Sequence, residues 1–357
     1  MIGSTFFMEF RKSWKGFSLF MIIILLTAGG FPQLFPAIQE SQELEGSENV
    51  KLSIEEDIIH LSWKNLPNVS AYQVIEDNKS FMVTPNLVYQ GIENETHITM
   101  NLNETQYFAV VAILNQTDER KLVGMATTAE GKSPFDEMME SSFYRSFTGG
   151  REMSMTDIKG FISLEFFSWW FLLAGLYIGY ISVSSISRDF EEKRMDIIFS
   201  TPISRNRYLL EKFAALSVYS LLMVLLAGGA MIASINGLGL SSEVNTTYLM
   251  LALIGSWPIL LIMAAAGILS SVYFVNSRSA TGITLLFAFS QYVLQIISNM
   301  SSKYSEIRNY GILGYWDYNE ILFDTLFSAT DFIHMMILAG FIFTAAIYVF
   351  NKKDIPV

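Results

Sequence analysis

The chain has no cysteine. Disulfides, thiolate-bound metals and a cysteine nucleophile are thereby excluded. Its three histidines, His60, His97 and His334, lie far apart in sequence and form no metal-ligand motif. Charge is scarce, at 16% of 357 residues. The net charge of -11 leaves no basic footprint of the kind that nucleic acid requires. No G-x-x-x-x-G-K-S/T stretch occurs, so the chain lacks the loop that wraps phosphate in backbone N–H groups. No motif for a bound cofactor or metal stands out in the sequence.

What is abundant is apolar surface, at 51% of residues. A helix that spans a bilayer needs roughly 20 mostly apolar residues, because lipid offers no partner to backbone N–H and C=O groups. Six stretches qualify: 16–36, 160–187, 207–235, 248–275, 279–298 and 331–350. Arg11, Lys12 and Lys15 precede the first, as in a signal peptide. Its apolar core is long and no clear small-residue cleavage site follows, so an uncleaved span is expected.

The acidic excess sits in one place. Between Gln39 and Lys159 there are 20 acidic and 9 basic residues, and the remainder has 14 of each. The chain thus joins a neutral apolar body to an acidic polar insert, residues 37–159. Basic residues crowd the start (Arg11, Lys12, Lys15), the second connection (Arg188 to Lys212), Arg278 and the end (Lys352, Lys353). By the positive-inside rule both termini are expected in the cytoplasm and the insert outside. N-x-S/T sequons at Asn68, Asn78, Asn94, Asn103, Asn115, Asn245 and Asn299 all fall on the expected outer side. They are candidate glycosylation sites, and a polar Asn- and Thr-rich surface also yields such triplets by chance.

Within the insert the period changes to two. "IIHLSWKNL" (58–66), "AYQVIED" (71–77), "THITMNL" (96–102), "YFAVVAILN" (107–115) and "KLVGMATT" (121–128) are short and rich in β-branched and aromatic residues, with polar turns between. This predicts an all-β, immunoglobulin-like sandwich over about 50–130, with Trp63 and Tyr72 in its core. A linker with a short amphipathic helix is expected over 131–159. The "LSW", the "AYQV" and the Thr105-to-Tyr107 step resemble the core positions of fibronectin type III domains. That resemblance implies an interaction or spacer module, with an extracytoplasmic protein or ligand as its partner.

Between the second and third spans, residues 188–206 are dense in charge. Met195, Ile198 and Phe199 recur at helical spacing. Thr201 is positioned to cap a new helix with Pro202 at its first turn. Arg205 and Arg207 then sit near that helix's start, where they oppose its dipole. An ordinary solvated loop obeying the positive-inside rule needs neither an apolar stripe nor a defined break, whereas a short docking helix needs both.

This stretch resembles the motif of ABC-2 type transporter permeases. Asp189 takes the place of an acidic residue; Ser200, Thr201, Pro202, Ile203, Ser204, Arg205 and Lys212 match the pattern directly. Lys193-Arg194 replaces a Gly-Thr pair, and Glu211 a Gly. "FMEFRKSWKG" (7–16) is similar to the family's amphipathic elbow, and residues 324–353 to its closing helix. The resemblance implies a non-catalytic permease subunit, of an exporter, paired with a second permease copy as homodimer or paralogue. ATP and Mg would be used by a separate cytoplasmic P-loop ATPase. Asp189, Glu191, Glu192, Arg194, Met195, Ile198, Phe199, Thr201, Pro202 and Arg205 would form the coupling segment.

The expected fold is an α-helical polytopic membrane protein with six transmembrane helices and the β domain inserted between helices 1 and 2. Its parts are 1–36 (elbow and first span), 37–159, 160–187, 188–206, 207–235, 248–275, 279–298, an outer segment 299–330, 331–350 and a tail 351–357. Tyr315, Trp316 and Tyr318 in the outer segment fit an interfacial belt or the lining of an outer gate. Polar residues inside spans are candidates for a translocation path because lipid disfavours them. These are Gln291, Gln295 and Ser290, with Glu165 and Asn236 near outer ends. The glutamines fit helix stitching as well. Two rival readings are a membrane-anchored receptor, adhesion or scaffold protein presenting the β domain, and a membrane-embedded enzyme. The first leaves the cytoplasmic motif unexplained. The second needs acidic residues or histidines converging within the spans.

Overall fold

The computed structural model describes residues 4–45, 50–55, 58–78, 85–99, 105–115, 120–128, 157–300 and 302–353. The helix expected near 134–147 lies outside them. The chain divides into a helical unit, built from residues up to Leu34 and from Asp157 onward, and a strand-rich unit that begins at Phe35.

In the helical unit, six helices are long and apolar enough to cross a membrane. They are α1 (Ser4–Glu45), α2 (Ile158–Glu191), α4 (Arg205–Gly237), α5 (Thr246–Phe274), α6 (Ser277–Met300) and α8 (Ala329–Lys352). Two short helices, α3 (Met195–Phe199) and α7 (Tyr318–Asp324), lie between spans. The protein is therefore a polytopic α-helical membrane protein, with a β-strand region between its first two spans.

No break separates the expected elbow from the first span. Residues 7–16 continue into it within one 42-residue helix. Nothing before Gly16 interrupts helical geometry: the segment holds no proline and no run of β-branched residues.

α5 is apolar on all sides and buried along its middle from Pro258 to Ala265, the mark of a central helix. Small residues let α2 approach it. A Cβ added at Gly267 would lie 2.6 Å from Ser182 Oγ and 3.0 Å from the Gly179 carbonyl. The Ser182 hydroxyl donates to the Ala264 carbonyl at 2.6 Å, and Ser271 to that of Val183 at 3.2 Å. In lipid such close approach and cross-helix hydrogen bonds stand in for the hydrophobic effect. α2 itself contains two π-helical turns, Ser163–Phe167 and Phe171–Gly175, on either side of Ser168–Trp170.

The bundle has two ends. At one, called here the terminal end, lie the start of α1, α3, and the ends of α2, α5 and α8. At the other, the loop end, the segment after α6 folds back as 3₁₀ turns (Ser302–Tyr310, Ile312–Tyr315) and α7. Trp316 is buried and donates its indole N–H to the Ala252 carbonyl at 2.8 Å. Tyr318 stacks on Phe167 with ring centroids 5.3 Å apart. Ser163 donates to Asn319 at 2.5 Å. Trp316 and Tyr318 thus pack inward on the bundle, because their rings find apolar partners on α2 and α5. Of the three aromatics only Tyr315 is exposed.

The strand-rich unit has two antiparallel sheets. One is ordered β1-β2-β5 (Val50–Glu55, Ile58–Trp63, Glu95–Thr99), the other β4-β3-β6-β7 (Asn86–Gly91, Val69–Asp77, Tyr107–Leu114, Arg120–Thr127). Alternate residues of β2 (Ile59, Leu61, Trp63) join Tyr72, Val74, Phe108, Val110 and Val123 in one core, as period-two burial requires. Trp63 meets Tyr72 edge to face at 5.6 Å. The Tyr72 hydroxyl donates to Asn65 Oδ1 at 2.8 Å and accepts from the Leu66 N–H at 2.7 Å. His60 and His97, remote in sequence, stand directly opposite on β2 and β5 with rings 4.4 Å apart.

Candidate docking site

The terminal end is assembled around Lys212, on the second turn of α4 and fully buried. Its ammonium donates to Glu9 Oε2 of α1 at 2.5 Å, to Asp189 Oδ2 of α2 at 3.0 Å and to the Ser185 carbonyl at 2.9 Å. Glu9 and Asp189 are buried too. Buried charges persist only when paired and hydrogen-bonded, and here three helices supply the pairing. Tyr208, one turn before Lys212, donates its hydroxyl to Asp189 Oδ2 at 2.9 Å. Arg194 lies 3.8 Å from Asp189 Oδ1 and also pairs with Glu192. Two carboxylates in the buried group therefore face two cations, one inside and one at its rim.

Neighbouring side chains close the helix ends, whose last carbonyls and first N–H groups lack intrahelical partners. Arg205 donates to the Phe350 and Lys353 carbonyls at 3.1 and 2.8 Å, at the end of α8. This arrangement offsets the unfavourable position of Arg205 at the start of α4: its charge meets the negative end of another helix. Lys353 in turn donates to the Val272 and Tyr273 carbonyls at the end of α5, at 2.7 and 2.5 Å. Burial pushes its ammonium below the ordinary lysine pKa. Glu191 accepts from the Ser277 N–H at 2.9 Å, at the start of α6.

α3 lies beside this group. Its Met195 is buried, and Phe199 packs on Tyr208 and Phe350 with centroids 5.7 and 6.1 Å apart. The apolar stripe read from the sequence thus points into the chain's own bundle, because a pocket of aromatic rings from α4 and α8 receives it. On the opposite side Ile197 is 70% exposed, beside exposed Asp196, Glu192, Lys193 and Ser200. Ile197 follows Asp196 and falls off the Met195–Ile198–Phe199 spacing, the one sequence signal that sets it apart from the stripe. Among the predicted coupling residues, Asp189 and Met195 are buried, and Arg194, Ile198, Phe199 and Arg205 half-buried. Glu191, Glu192, Thr201 and Pro202 are exposed.

The cap of α4 is Ser204, which accepts from the Arg207 N–H, and not Thr201. Thr201 donates its hydroxyl back to the Ile198 carbonyl at 2.5 Å, and Pro202 lies outside both helices. A residue before proline disfavours helical geometry, so α3 ends at Phe199 and α4 starts after Ile203.

The polar residues of the spans are scattered. Gln291 is buried and accepts from the Ile312 N–H at 3.0 Å, which fastens the loop-end segment to α6. Ser290 is exposed and donates to its own helix at Phe287. Gln295 is half-buried, Glu165 half-buried in a π turn and Asn236 exposed at the end of α4. Among the sequons, Asn68, Asn78, Asn94, Asn115 and Asn245 are exposed and Asn299 half-buried; Asn103 lies outside the described residues. Among the described residues no group of three or more His, Asp or Glu is placed to hold a metal ion.

Residues 7–355 match the family described as "ABC-2 family transporter protein". No curated protein and no solved structure is significantly similar to the chain.

Proposed function

The chain belongs to the ABC-2 transporter family, and from that premise we propose that it is the permease half of an ATP-driven exporter whose ATPase is a separate chain. α3 is the element on which that ATPase docks. The observation that carries this reading is Ile197: a large apolar side chain held out by a five-residue helix whose other face is locked into the bundle. Isolated exposed isoleucines are common, but one on a rigid knob ringed by Glu192, Lys193 and Asp196 has the form of an interface anchor with a polar rim. Hydrolysis in the partner would move α3, and the laced terminal end would pass that motion to the spans. Both termini then lie in the cytoplasm with α3, and the strand-rich unit outside. A second copy of the chain completes the path, and the sequons of the outer unit are glycan acceptors.

The three-plus-four strand order and the Trp63–Tyr72 core support a fibronectin type III-like identity for the inserted unit. Leu87 and Ile92, 54% and 79% exposed on and just past edge strand β4, favour a binding role for it.

The test is co-expression and co-purification of the full chain with a candidate P-loop ATPase subunit. Ile197→Asp is expected to weaken the complex by on the order of tenfold to a hundredfold, the worth of one buried isoleucine. It should leave the thermal stability of the chain unchanged. Undiminished binding, or uphill transport by the chain without any ATPase, would overturn the reading.

A further inference from the structure

The partners of the two buried carboxylates are unequal. Asp189 meets Lys212, Tyr208 and Arg194. Among the described residues Glu9 meets one cation, Lys212, and the hydroxyl of Ser13 on its own helix. If Glu9 withdraws, Asp189 still holds Lys212, and the α2–α4 joint that carries α3 stays assembled. If Asp189 withdraws, Tyr208 and Arg194 lose their acceptor as well. The buried group is therefore tied by more contacts between α2 and α4 than toward α1.

The rest of α1 fits this division. Beyond Ser13 it is held to α4 by Phe17 against Tyr219, with centroids 4.2 Å apart, and by Gln33 donating to Ser234 at 2.8 Å. Ahead of Ser13, Glu9 reaches Lys212, and the Phe6 N–H reaches Glu211 at 3.3 Å. Glu9 thus governs the amino-terminal turns alone.

We infer that Glu9 is a positioning residue, the releasable clasp by which the first turns of α1 are fastened through Lys212 to the joint bearing α3. With the clasp closed, a displacement of α3 carries the start of the first span with it. With the clasp open, the two move independently. The functional consequence rests on α3 being the docking element, but the clasp itself does not.

The chain's lack of cysteine provides the test. Spin labels are placed on the full chain in lipid nanodiscs, without any ATPase, so that failure of the docking reading leaves the result interpretable. One pair, Phe7→Cys with Ser200→Cys, reports α1 against α3. The other, Ser200→Cys with Leu210→Cys, reports α3 against α4. Both are expected to give single narrow distance distributions. Glu9→Gln should at least double the width of the first and leave the second unchanged, whereas Asp189→Asn should broaden the second. An unchanged first distribution in Glu9→Gln overturns the inference. So does equal broadening of both, since Glu9 would then hold the whole terminal end together.

Discussion

Tyr208 joins two kinds of contact in one side chain. Its ring fills the space between Phe199 and Phe350, and its hydroxyl reaches Asp189. A hydrogen bond to a charged group contributes on the order of 1.5–3 kcal/mol when buried. Tyr208→Phe keeps the ring and removes only that bond. It is expected to lower the thermal unfolding midpoint of the detergent-solubilised chain measurably, with the helical signal before unfolding intact. An unchanged midpoint would mean that the hydroxyl is not committed to Asp189. At this scale the sequence was only partly legible. The acidic residue at 189 and Lys212 stood out as motif positions, but nothing in their spacing tied them to Glu9, some 200 residues away. Side-chain direction was harder still. Met195 and Phe199 read as a docking stripe, yet helical periodicity tells that a face is apolar and not which neighbour covers it. The histidine pair was hidden for the same reason, since cross-strand register joins residues that sequence distance separates.

Elements were read more easily. All six spans were visible, because a bilayer's thickness sets a length that composition alone satisfies. Their limits moved outward by a few residues in most cases, where polar ends continue a helix that hydropathy does not count. The cap of α4 is Ser204 and not the expected Thr201, because both serine and threonine fit the role and the local pattern does not rank them. The tight approach between α2 and α5 is at Gly267, whose added Cβ would meet Ser182 and the Gly179 carbonyl. Gly267→Val should therefore force α2 and α5 apart, costing about 1–3 kcal/mol by overpacking. Gly229→Val, where a Cβ meets nothing within 4 Å, should be neutral. Comparing the two by detergent thermal shift checks this, and equal losses would refute the assigned contact.

For the molecule as a whole, the division into an apolar body and an acidic insert followed directly from charge counts, and the family from the motif around Pro202. What composition did not supply was the identity of the cargo, because scattered polar residues such as Gln291 turned out to hold the bundle's own segments. The proposed orientation makes a plain prediction in intact cells. A membrane-impermeant maleimide is expected to label Ser242→Cys, at the loop end, and to spare Ser200→Cys until the membrane is opened. The opposite pattern would invert the topology. One further property of the bundle comes from the two wide turns of α2. Each residue of an α-helix advances the azimuth by about 100°, and a π turn retards that advance. The upper and lower halves of this span consequently run out of phase with each other. No single helical wheel can be drawn through residues 158 to 191, and the face that carries Ser163 cannot be extrapolated to the face that carries Asp189.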